Sequence, residues 1–71
     1  MTESIFTIEA DQWSEHGYIY RDGIVYGYET DRKEASHMEF SPKTAEAFLA
    51  QTDLPEEIRE WVRECSGLQG P

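Results

Sequence analysis

The chain has 71 residues, and its fifteen Asp and Glu against six Lys and Arg give a net charge of −9. That length holds a single domain, expected to span residues 1–71, which buries only about 60% of the surface of its unfolded chain. The charge works against DNA, RNA and anionic membranes as direct partners, one cysteine excludes an internal disulfide, and the interleaving of acids with Ile, Val, Tyr, Phe and Trp excludes the aromatic-poor composition of acidic disordered chains.

Met1 to Ala10 has neither a basic start nor an apolar run, so no signal peptide is expected. No stretch approaches the roughly 20 apolar residues of a membrane span, and an unpaired Cys65 fits a reducing compartment. The expected location is the cytoplasm. Ser4 to Glu9 alternates as a strand, with Phe6 and Ile8 on one face. Residues 10–17 read as a connection in which Trp13 tucks against the core.

Gly17 to Thr30 is a hairpin. Asp22-Gly23 sits between two β-rich runs, the pattern of a type I′ turn whose central residues both take positive φ. A two-residue loop sets Arg21 opposite Ile24, Tyr20 opposite Val25, Ile19 opposite Tyr26 and Tyr18 opposite Gly27. One face then carries Ile19, Ile24, Tyr26 and Tyr28. The other carries Tyr18, Tyr20 and Val25, with Gly27 leaving room for a ring. Both faces are apolar, so either both are covered or one is an exposed aromatic patch. The isoleucine face is expected to be the core. After a charged loop over 31–35, Ser36 to Phe40 alternates again, with Met38 and Phe40 inward and His37 and Glu39 outward.

Ser41-Pro42 has the chemistry of a helix start, Ser as N-cap and Pro in the first turn. Ala45, Phe48, Leu49 and Thr52 follow at helical spacing. Asp53 with Glu56 three residues on reads as a capping-box variant opening a second helix, whose stripe is Ile58, Trp61, Val62 and Cys65. Gly67 is the expected stop, with Leu68 folding back. The order is β-β-β-β-α-α: an α+β fold, three or four antiparallel strands with two C-terminal helices packed on one face.

No motif for catalysis is present. Cys65 lies on an apolar stripe, which favours a buried thiol over a nucleophile. His16 and His37 lack a second ligand at useful spacing, and Glu34-x-x-His37 spans a loop and a strand. There is no phosphate-cradling glycine loop and no metalloprotease signature. No enzyme activity, cofactor or metal is expected.

Two surfaces could bind a partner. Glu56, Glu60 and Glu64 stand four apart, a carboxylate row spaced about 6 Å along one helix face, with Arg59 and Arg63 interleaved. Glu29, Asp31 and Glu34 add a second acidic cluster. Such faces suit a basic protein or nucleoprotein complex, and an acidic domain can occupy a Lys/Arg-lined nucleic-acid channel. Phage anti-CRISPR proteins and DNA mimics are often this small and this acidic; the likeness is one of size and charge, with no shared motif. The second surface is the hairpin pair Tyr18 and Tyr20, residue types that anchor interfaces, for an adaptor subunit or a homodimer. The leading expectation is an inhibitor that blocks a basic site. The alternatives are the adaptor and a small regulatory or antitoxin-like protein.

Overall fold

The Asp22-Gly23 turn sets the register of the whole sheet. Both residues take left-handed backbone angles, φ 51° and 83°, as a type I′ turn requires. They join β2 (Ser14–Arg21) to β3 (Ile24–Asp31), and the pairs Arg21–Ile24, Tyr20–Val25, Ile19–Tyr26 and Tyr18–Gly27 are those the loop length predicts. The computed structural model describes residues 3–67. Outside the hairpin lie β1 (Glu3–Ala10) and β4 (Ser36–Thr44), giving a four-stranded antiparallel sheet in the order β1-β2-β3-β4. Two helices follow, α1 (Ala45–Leu49) and α2 (Glu56–Ser66). The fold is the α+β architecture expected from the strand-then-helix order.

The outer strands each carry one extra residue. On β1 the register slips between Thr7 and Glu9, which leaves Ile8 unpaired against β2. On β4, Phe40 pairs with Gly27 and Lys43 with Val25, so Ser41 and Pro42 together oppose Tyr26. Such bulges sharpen strand twist. Ser41 takes a left-handed φ of 51° at this kink.

Ser41-Pro42 therefore does not start the first helix. The strand runs on to Thr44, whose side chain accepts the Ala47 N–H at 3.1 Å and caps α1. The Ala45 N–H donates to the Gly23 carbonyl and seats α1 over the hairpin turn. The second cap also differs. Pro55 is the N-cap of α2, and no side chain closes that end. Gly67 ends α2 in the left-handed region, as expected, its N–H bonded to the Arg63 carbonyl. The expected return of Leu68 lies outside the described residues.

The core lies on the opposite face of the sheet from the one expected. Tyr20, Val25, Ala45, Phe48, Ile58 and Val62 form the buried cluster, with Phe6, Tyr18, Leu49, Leu54, Trp61 and Cys65 against it. Both helices thus cover the Tyr18/Tyr20/Val25 face. The reason is electrostatic. Arg21 shares the face of Ile19, and by register so do Glu3, Glu15, Tyr28 and Glu39. Burying that set beneath helices would cost more in desolvation than its pairing returns. Ile19 and Tyr28 are nevertheless buried, sheltered by cross-strand neighbours on the open face. Trp13 sits in the short loop before β2 and is 54% exposed rather than tucked in. Met38 and Phe40, expected inward, are 62% and 40% exposed: they lie on the helix-side face but the helices do not cover them.

Candidate functional site

The carboxylates of α2 are displayed as the sequence suggests. Ile58 and Val62 are buried and Trp61 and Cys65 half-buried against the core, which turns Glu56, Glu60 and Glu64 outward, all exposed. The Trp61 indole N–H donates to the Ser4 hydroxyl at 3.0 Å and its ring tilts on Phe6 at 5.5 Å, which fixes the helix on β1. The arginines divide their work. Arg63 meets Glu56 at 3.4 Å. Arg59 donates to the carbonyls of Leu49 and Gln51 and ties α2 to the end of α1. It does not neutralise the row with which it interleaves in sequence.

The second acidic cluster is not one surface with the first. Glu29 and Asp31 lie toward the end of β3 and Glu34 in the loop beyond it, whereas α2 is held on β1 and α1. Asp31 also shapes the chain around it. Its carboxylate accepts the Lys33 N–H at 2.9 Å and the Glu34 N–H at 3.3 Å, a turn that aspartate favours.

The hairpin tyrosines are not a free patch. Tyr20 is 8% exposed within the core. The Tyr18 ring meets Phe48 edge-on, with centroids 5.1 Å apart. Docking through Tyr20 would require the helices to leave, whereas the half-buried Tyr18 still borders the uncovered part of the face, so the two do not form the exposed pair expected. The sequence could have placed them correctly: Arg21, one residue beyond Tyr20, marks the other face as the wet one.

That open face carries two polar networks. In one, the Tyr28 hydroxyl donates to Glu15 at 2.6 Å and so accepts from the Thr7 hydroxyl at 3.0 Å. Arg32 reaches the same Glu15 at 2.6 Å and the Asp11 carbonyl at 2.7 Å. The Tyr28 phenol and the Arg32 guanidinium hold the Glu15 carboxyl below its ordinary value, while burial and the Glu15 charge push Tyr28 up. In the other, Arg21 donates to Glu3 at 2.7 Å and, with two nitrogens, to Glu39 at 3.2 Å, crossing the Tyr26 ring at 5.4 Å. Glu39 also faces the His37 Nε2 at 3.2 Å. A carboxylate only accepts, so Nε2 carries the proton, and in the neutral ring Nδ1 accepts from the Thr30 hydroxyl at 2.9 Å. Arg21 and then His37 hold Glu39 below its ordinary value. Neither network is legible from sequence, because each joins residues from three or four strands.

Cys65 is half-buried against the core. Among the described residues no group of three or more His, Cys, Asp and Glu is placed to hold a metal ion, and no helix is long and apolar enough to cross a membrane. No family model, curated protein or solved structure matches the chain.

Proposed function

We propose that this chain is a non-catalytic acidic binding protein that docks the outer face of α2 on a basic protein surface and blocks its access to nucleic acid. The observation that carries the reading is the division of labour on α2. Glu56, Glu60 and Glu64 are exposed along the helix while Arg59 is turned away onto the Leu49 and Gln51 carbonyls. With Arg63 on Glu56, three carboxylates stand against one guanidinium and the row keeps a net negative charge, at a spacing of about 6 Å that a Lys/Arg-lined channel can engage. Its charge also steers encounter with a basic partner, an effect that salt suppresses.

The test is capture from a lysate on immobilised protein, eluted with a salt gradient and identified by mass spectrometry. A nucleic-acid-binding protein released at moderate salt by the native chain, and not retained by the E56K/E60K/E64K variant, supports the reading. Equal retention by native and variant chains removes it.

A further inference from the structure

The helices cover only part of the sheet. Across the helix-side face the strands present aligned rows. Phe6, Tyr18, Gly27 and Phe40 make one, and Glu9, His16, Glu29 and Met38 the next. Phe48 of α1 closes on Tyr18 and Ile58 of α2 lies beside Ile8, and beyond them the face is open. Three large apolar residues stand exposed there: Ile8 at 49%, Phe40 at 40% and Met38 at 62%. Shallow depressions join Ile8 and Phe40 through Tyr18 into one strip, continuing to Ser41 and Gln51 at the β4 side, with Met38 one row beyond it.

Size and charge both describe an occupant. From the Tyr18 row to the Glu9–His16–Glu29 row the strip is about 7 Å deep, room for the apolar stripe of one helix whose flank reaches the charged row. Four strands span about 15 Å, which a helix of about 10–12 residues crosses at 1.5 Å per residue. Acids stand along both margins, Glu9 and Glu29 on the open side with His16 between them and Glu57 on the α2 side, while Lys43 lines the β4 end. The bulges on β1 and β4 break the edges that an extended peptide would otherwise continue.

We infer that this strip is the seat of a short amphipathic helix of a partner protein, laid beside α1 and α2 with an apolar stripe on Ile8, Tyr18 and Phe40 and with Lys or Arg along its flanks. The inference uses other residues than the α2 row and stands or falls separately from it.

The probe is a synthetic helix-forming peptide of about 12 residues with a leucine stripe and flanking lysines, compared by calorimetry with a scrambled peptide of equal charge. The striped peptide should bind at least about tenfold more tightly than the scrambled one, gain helix by circular dichroism, and shift the amide signals of Ile8, Tyr18 and Phe40. I8S and F40S, both at exposed sites outside the buried cluster, should each erase most of that preference, and E56K/E60K/E64K should keep it. Equal binding of both peptides, full preference in I8S and F40S, or binding as a strand that protects the β4 amides would overturn the proposal. So would a dimer in sedimentation that F40S dissociates, since the strip would then be covered by a second copy.

Discussion

Gly17 and Gly27 sit diagonally across β2 and β3, on opposite faces of the sheet, and serve different neighbours. A Cβ on Gly17 would stand 2.0 Å from the Phe6 carbonyl oxygen, because β1 folds close over β2 just before its bulge. A Cβ on Gly27 would meet the Phe40 ring at 2.4 Å. The first obstacle is backbone and the second is a half-exposed side chain free to swing aside. Gly17→Ala should therefore cost about 3 kcal/mol or more and Gly27→Ala about 1 kcal/mol or less, read from urea midpoints. Equal costs would mean that β1 yields more easily than its pairing suggests. The gap at Gly27 is legible in sequence, since the hairpin register sets a tyrosine ring opposite it to use the space. The ring that fills it is Phe40 from β4, and no local rule gives the β3–β4 register across a bulge.

At the level of elements, the strands and the α2 stripe can be read directly and the helix starts cannot. Ser41-Pro42 and Asp53 have the residue types of caps, yet β4 pairing continues past the first, and no side chain, Asp53 included, bonds to the start of α2. Tertiary pairing overrides local propensity because Lys43 and Thr44 still find partners on β3. The cap that forms is Thr44. Thr44→Ala should lower stability by about 1 kcal/mol, whereas Asp53→Ala and Ser41→Gly should leave it unchanged or slightly raised, since Gly relieves the positive φ at 41. Thermal melts of the three variants decide this. A larger loss for Asp53→Ala than for Thr44→Ala would restore the cap expected from sequence. The choice of sheet face fails for a related reason. Counting apolar residues ranks the two faces alike; Arg21 gives the sign in sequence, while its partners Glu3 and Glu39, far off in the chain, are seen only in the fold. The glutamate row needs only helical spacing, so it is legible; the open strip, set by how far two short helices reach, is not.

The molecule as a whole is bracketed by its open-face charges. Glu3, Arg21 and Glu39 join β1, β2 and β4 across Tyr26 of β3, and Glu15 joins β2 to Tyr28 and to Arg32. Glu15 and Glu39 both have carboxyls held below the ordinary glutamate value of 4.5. A depressed carboxyl adds stability that is fully present above the unfolded value and is lost as pH falls through the folded one. Protonating other acids relieves repulsion in a chain of net charge −9, so the native profile mixes two opposing trends. The comparison that isolates the brackets is native against Glu39→Gln. The difference in urea midpoint should be largest at neutral pH and shrink as pH drops below about 4.5. A difference that stays constant down to strongly acid pH would show that Glu39 contributes packing and no charge.

Both extra residues of the sheet sit on its two outermost strands, Ile8 on one and Ser41-Pro42 on the other. An unbroken outer strand is a template on which like chains zip together without end, the seed of fibrils. Here each outer strand offers only a short straight run before it kinks, and proline withholds one donor within the second. Exposed isoleucine, methionine and phenylalanine thus sit on a sheet whose backbone shape, as well as its net charge, works against polymerisation.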